Sequence, residues 1–183
     1  VWYSKTAQER TWNYYVNGAA QLSLKNVFLS VEGVYSDARE RWNTEIDIRP
    51  RRKEEGFGGS ALVRLAHKTS FELGYRTVKY LYESVVYGED FDVRERLNRE
   101  ESYARLSLYY QAASQRRFFI DLEYGDYAFE FASQAAIGDA RSGAAYAGLD
   151  LSRLGWRVRG RIRVGYKAYD VRAADGPDYR GVV

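Results

Sequence analysis

The chain has 183 residues, with 28 Lys and Arg against 25 Asp and Glu and a formal charge of +3 at pH 7. That is one domain of ordinary size, mildly basic and well short of a dedicated nucleic-acid binder. It has no Cys and a single His, His67, which excludes disulfide frameworks, cysteine nucleophiles, thiolate metal centres and multi-histidine metal sites. The 17 Tyr and 16 Gly beside only 2 Pro favour β structure. No apolar run is long enough for a membrane helix, and the first residues show no charged-then-apolar signal segment. Met is absent, so Val1 is not a translation start and the chain reads as processed or excised.

From residue 15 onward the sequence alternates with a period of two, the pattern of a strand with two different faces. In 15–24, Val16, Gly18, Ala20, Leu22 and Leu24 alternate with Tyr15, Asn17, Ala19, Gln21 and Ser23; 27–36 repeats this, with Val27, Leu29, Val31, Gly33 and Tyr35 on one face. Shorter stretches follow at 61–68 and 70–76, the latter with Phe71, Leu73 and Tyr75 against Glu72 and Arg76. In 103–111, Ala104, Leu106, Leu108 and Tyr110 alternate with Tyr103, Arg105, Ser107 and Tyr109. In 118–125, Phe118, Ile120, Leu122 and Tyr124 alternate with Phe119, Asp121 and Glu123, and 145–152 continues with Ala145, Ala147, Leu149 and Leu151 against Tyr146 and Asp150. The clearest segment is 156–168. Its even positions are Trp156, Val158, Gly160, Ile162, Val164, Tyr166 and Ala168, and its odd positions Arg157, Arg159, Arg161, Arg163, Gly165 and Lys167. These make about eight strands of roughly ten residues, the length of a tilted strand that crosses a bilayer.

Connections alternate in length. Short turns are expected near 25–26, 67–69, 113–115 and 153–154, and long polar stretches at about 37–55, 82–100 and 132–140. A two-residue turn at Lys25-Asn26 pairs Leu24 with Val27; one at Arg153-Leu154 sets Asp150 against Arg157; the turns near Lys68 and Ser114 need three or five residues to keep the faces aligned. Short turns at one end and long loops at the other are the plan of an outer-membrane barrel. The expected fold is therefore all-β: an antiparallel up-and-down transmembrane β-barrel.

In that reading the apolar face meets lipid through Leu106, Leu108, Ile120, Leu122, Val158, Ile162 and Val164. An aromatic girdle of Trp156, Tyr166, Tyr110, Tyr124, Tyr75 and Tyr35 marks the interfaces. The other face lines a wet lumen with Arg157, Arg159, Arg161, Arg163, Lys167, Asp150, Asp121, Glu123, Arg105, Glu72 and Arg76. A water-soluble barrel or sandwich, with the apolar face as its core and a binding role, is the alternative; it gives no reason for Tyr at the strand ends.

Thr69-Ser70-Phe71-Glu72-Leu73-Gly74-Tyr75-Arg76, Ser102 to Gln111 and Phe118 to Tyr124 resemble bacterial outer-membrane β-barrel proteins of the porin-like kind, the loosely defined β-barrel porin families. The resemblance covers about 12–170 and is one of texture, with no diagnostic short motif. It implies a place in the bacterial outer membrane and, for some such proteins, exopolysaccharide export. The chain departs from a complete member in lacking a signal segment and a terminal aromatic, and both its ends fall on the long-loop side. A section of a larger barrel is expected, and 178–183 allows one more strand.

The arginine row is the sharpest local feature. It either attracts anions into a pore or is neutralised by the acids of the same face, Asp150, Asp121, Glu123, Glu72 and Glu32, as structural salt bridges; in the turn geometry above, no acid of the preceding strand faces Arg159, Arg161 or Arg163. His67 reads as an exposed turn residue, because no strained nucleophile turn accompanies it. Glu54-Glu55, Glu89-Asp90 and Glu100-Glu101 read as solvated loop charge, and Arg49-Pro50-Arg51-Arg52-Lys53 runs straight into Glu54 without a stacking platform for nucleic acid. No catalytic set, cofactor or metal is expected. The expected function is a channel for ions, small solutes or exported polysaccharide, embedded in outer-membrane lipid. The rival is a sheath around a partner such as an electron carrier, a periplasmic protein or a secretion-system component.

Overall fold

The structure, a computed structural model, describes residues 12–39, 50–87, 91–113, 116–151, 160–172 and 179–183. In chain order its elements are β1 (Tyr14–Leu24), β2 (Val27–Arg39), β3 (Arg51–Arg64), β4 (Thr69–Tyr82), β5 (Val86–Tyr87), β6 (Phe91–Asp92), α1 (Val93–Leu97), β7 (Arg99–Ala113), β8 (Arg116–Phe129), α2 (Ala132–Gly138), β9 (Ala140–Asp150), β10 (Arg161–Val171) and β11 (Tyr179–Val182). Nine strands form one antiparallel up-and-down sheet in the order β1-β2-β3-β4-β7-β8-β9-β10-β11, and β5 pairs separately with β6. The ninth strand, β11, is the extra strand that 178–183 allows; it pairs antiparallel with β10. Among the described residues β1 and β11 do not pair, so the sheet is curled but open rather than a closed barrel.

The two faces differ as the period of two requires. Residues deepest in the sheet carry the polar parity: Ser107, Asp121, Tyr109, Phe119 and Tyr146 are all buried. Their apolar neighbours Leu108, Ile120, Leu122, Ile162 and Val164 are exposed. The curl thus puts the polar face inside and the apolar face outside. A single trough is lined from Ser30 on β2 round to Lys167 on β10, which a flat sheet of this width does not allow.

Local registers explain where the sequence reading holds and where it changes. At Lys25-Asn26 the turn has two residues, with Leu24 opposite Val27 and Leu22 opposite Leu29. Between β3 and β4, Leu65 N–H donates to the Thr69 carbonyl, closing a three-residue turn over Ala66, His67 and Lys68. Between β7 and β8 the parity is instead kept by a bulge between Gln111 and Ala113, so that Ala113 pairs with Arg116 across a shorter loop than the expected three or five.

The largest change lies between β9 and β10. Asp150 faces Arg161, not Arg157, and Leu151 N–H donates to the Gly160 carbonyl at 2.7 Å; this register differs from the one a two-residue turn at 153–154 would set. Residues 152–159, and with them Trp156, Arg157, Val158 and Arg159, lie outside the described residues. Inner-face bulk accounts for this register. It sets Tyr146 opposite Gly165, and a Cβ on Gly165 would lie 2.4 Å from the Tyr146 ring. Gly148 admits the Phe119 ring in the same way: a Cβ there would meet its Cζ at 2.5 Å. Each ring needs a glycine beside it on the next strand.

The long stretches also hold more structure than loops. Residues 37–39 and 51–55 belong to the ends of β2 and β3, 82–100 contains β5, β6 and α1, and 132–140 is largely α2. Asp92 caps α1, its carboxylate accepting from Arg94 N–H. Asn98 ties this end together: its Oδ1 accepts from Tyr82 N–H at 2.7 Å and its Nδ2 donates to Glu130 at 2.7 Å.

Candidate functional site

On the outer face, the residues expected to meet lipid form continuous rows. Leu73, Leu106, Leu122 and Ala145 lie side by side in register, and Phe71, Leu108, Ile120, Ala147 and Val164 form the next row toward the short turns. Tyr110 and Phe118 pair at the short-turn end, while Tyr75, Ala104 and Tyr124 share a row toward the long loops. One row further the outer face turns polar on five successive strands: Thr77, Ser102, Asp126, Arg141 and Asp170. This belt is cross-linked, with Tyr75 Oη donating to Ser102 at 3.0 Å, Thr77 Oγ1 to Glu100 at 3.0 Å, and Arg141 and Arg172 both held by Asp126.

The girdle runs obliquely across these rows. Following register from Tyr35 on β2 leads to Arg172 on β10, six residues beyond Tyr166 after six strand-to-strand steps. With a rise of about 3.3 Å per residue and about 4.8 Å between strands, one residue per strand corresponds to a tilt of roughly 35°, as in barrels.

The inner face collects the expected lumen residues Arg161, Arg163, Lys167, Asp150, Asp121, Glu123, Arg105, Glu72 and Arg76, all of one parity. Most are matched to a partner. Arg117 bonds Asp150 at 2.6 Å, Arg163 bonds Glu123 at 3.1 Å, Arg161 bonds Asp121, and Glu72 accepts from Arg105 at 3.3 Å and from Tyr109 Oη at 3.0 Å. Arg161 and Arg163 therefore do not stand unopposed. They reach over the small side of β9, across Gly148 and Ala144, to acids two strands away on β8.

Aromatic rings that the charge pattern did not single out complete the arrangement. The guanidinium of Arg161 lies 3.8 Å from the Phe119 centroid, Arg163 4.1 Å from Tyr146, and Arg117 4.4 Å from Tyr109. Each such arginine thus has a carboxylate at its edge and a ring at its face. The signal for these rings was in the sequence: Tyr109, Phe119 and Tyr146 carry polar-face parity among charged neighbours. Asp121 is 1 % exposed, and its Oδ1, like Ser107 Oγ opposite it in register, is buried without a protein partner. Nearer the long loops, Tyr103, Tyr127 and Tyr169 form a chain of rings at 5.8 and 5.7 Å.

His67 is exposed in its turn. Among the described residues no group of three His, Cys, Asp or Glu is placed to hold a metal ion.

No protein-family model matches the chain, and no curated protein does. Among solved structures it is similar to an outer-membrane expressed OmpT of Vibrio cholerae, with a TM-score of 0.58 and 12% identity over 86% of this chain and 46% of that one. The chain therefore spans about half the length of the structure it matches, and the likeness is one of fold: the curled up-and-down sheet is that of an outer-membrane β-barrel.

Proposed function

We propose that this chain is a section of wall of a bacterial outer-membrane β-barrel whose polar interior serves as a conduit for ions, small solutes or an exported chain molecule. One observation carries the reading: the sheet is inside out. Its exposed convex face is apolar from Tyr110 to Ala104 on β7 and from Phe118 to Tyr124 on β8, while Asp121, Ser107 and the arginine–carboxylate pairs fill the concave face. In water such a sheet would expose its apolar side and bury its charges; lipid outside and water within reverse both costs.

The open edges support a larger barrel. Every residue of β1 is exposed, and an unpaired strand edge has no hydrogen-bonding partner in hydrocarbon, where each unsatisfied group costs several kcal/mol. Among the described residues these edges have no partner strand, and strands pairing with β1 and β11 would satisfy them.

Because Arg161 and Arg163 are matched by Asp121 and Glu123, the interior of this section is charge-paired rather than a bare cationic stripe. The test is reconstitution of the full barrel in planar bilayers. The conduit reading expects ohmic conductance with anion-to-cation selectivity changed little by Arg163→Gln. A folded barrel that passes no current and co-purifies with a partner would replace this reading with the sheath.

A further inference from the structure

The two ends of the sheet treat charge differently. At the long-loop end the arginines are matched: Arg51 by Asp37, Arg39 by Glu83, Arg99 by Glu101, and Arg141 and Arg172 by Asp126. The lysines there also have acids on the neighbouring strands, with Lys53 opposite Asp37 and Lys79 in register between Glu55 and Glu100. At the short-turn end Asp150 is answered by Arg117 at 2.6 Å. Lys25, Lys68 and Arg116 are exposed, and their side chains make no ion pair or hydrogen bond among the described residues. Arg64 lies 4.5 Å from the Phe28 ring centroid and has no carboxylate partner among the described residues. No acid stands at 25–26, 65–68, 111–113 or 116–118.

Strand tilt brings these cations to one level. Register carries Val27 to Val63, Phe71, Leu108 and Ile120 on the next four strands. With the shift of one residue per strand that relates Tyr35 to Tyr166, the level of Val27 meets β3 at Arg64, β4 at Thr69, β7 at Gln111 and β8 at Arg116. Lys25 and Lys68 flank that level in the adjoining turns. On the outer face of β8 the order toward the rim is Ile120, Phe118, Arg116, apolar, then aromatic, then cationic, with successive members about 6–7 Å apart. A strand leaving hydrocarbon for the headgroups follows that order. A protein seated below the turns would meet Lys25 and Lys68, but Arg116 shares the lipid-facing side of β8. Resting on the barrel-wall reading and not on conduction, we infer that this basic rim binds anionic phospholipid headgroups, in preference to zwitterionic ones, in the leaflet at the short-turn end. Lys25, Arg64 and Arg116 stand on successive hairpins about 10 Å apart, so each meets a different headgroup, and their attractions to an anionic surface add.

The test is electron paramagnetic resonance of the full barrel in phosphatidylcholine vesicles carrying a trace of spin-labelled phosphatidylglycerol or, separately, of spin-labelled phosphatidylcholine. The motionally restricted lipid beside the protein is expected to favour phosphatidylglycerol about twofold or more at low salt, and the preference is expected to fade in about 0.5 M NaCl. Lys25→Gln, Lys68→Gln and Arg116→Gln together should abolish it, while Lys53→Gln with Lys79→Gln, at the other end, should leave it in place. All five side chains are exposed, and the salt dependence of the unmodified barrel reads the same charge without any substitution. Equal association of the two lipids, a preference that survives the triple substitution, or an equal loss in the long-loop pair would overturn the inference. Poly-L-glutamate bound by the unmodified barrel and not by the triple variant, with no lipid preference, would give the rim to an acidic protein instead. A barrel that conducts without the preference overturns the rim site alone, and one that shows the preference but passes no current overturns the conduit alone. Restricted lipid of neither kind would overturn the barrel wall and the rim site together.

Discussion

Arg161 and Arg163 look alike in the sequence, two members of one cationic row, but they are held differently. Arg161 stacks on Phe119 and bonds Asp121, whose side chain is 1 % exposed; Arg163 bonds Glu123 at 3.1 Å with both side chains well exposed. Stranding a buried carboxylate costs about 3–5 kcal/mol, whereas an exposed pair is worth roughly 0–1 kcal/mol. Arg161→Gln is therefore expected to destabilise the sheet by about 3–5 kcal/mol, and Arg163→Gln by less than about 1 kcal/mol, measured by urea unfolding in lipid vesicles. Equal losses would mean that Asp121 is not the partner that Arg161 serves. On the other face, Leu122→Arg is expected to cost about 2–4 kcal/mol in the same assay if Leu122 lies near the bilayer midplane.

At the level of the strand, glycines decide whether neighbours approach. A Cβ on Gly148 would lie 2.3 Å from the Ile162 carbonyl oxygen and 2.5 Å from the Phe119 ring, whereas one on Gly143, in the same strand, would meet nothing within 4 Å. Gly148→Ala is expected to sharply reduce the folded fraction, read from the mobility of unheated samples in SDS gels; Gly143→Ala is expected to leave it unchanged. The same packing shows why part of the fold was legible in the sequence and part was not. Parity was legible, because alternation of Leu106, Leu108 and Leu122 with Arg105, Ser107 and Glu123 depends only on neighbours along one strand. Register was legible at Lys25-Asn26, where the loop is two residues long. It was not legible between β9 and β10, where the pairing moved by four residues, from Arg157 to Arg161 opposite Asp150. An even shift leaves every side chain on its own face, so the alternation carries no trace of it, while it changes every cross-strand partner. Hence the residues of the charged face and the acids among them were legible, but which acid meets which arginine was not. The fit of Tyr146 to Gly165 decides that register, and it is a contact between strands.

Across the whole molecule, the described sheet has an apolar outer face, a charged inner face and two unlike ends. The long-loop end carries α1, α2 and the polar belt from Thr77 to Asp170, and the expectation is that it faces the exterior, as longer loops do in such barrels. An epitope tag between Ser84 and Val86 should be reached by antibody on intact cells, and one at Lys25-Asn26 only after permeabilisation; the reverse labelling would invert the orientation. The central claim is the facing itself, and a chain without cysteine allows it to be measured directly. Single cysteines placed along β10 at Ile162, Arg163, Val164, Tyr166 and Lys167 and labelled with an environment-sensitive fluorophore should alternate. Positions 162, 164 and 166 should be quenched by nitroxide lipids, and 163 and 167 by aqueous iodide. Quenching of all five by iodide, or lipid quenching at 163 and 167 with none at 162 and 164, would contradict it.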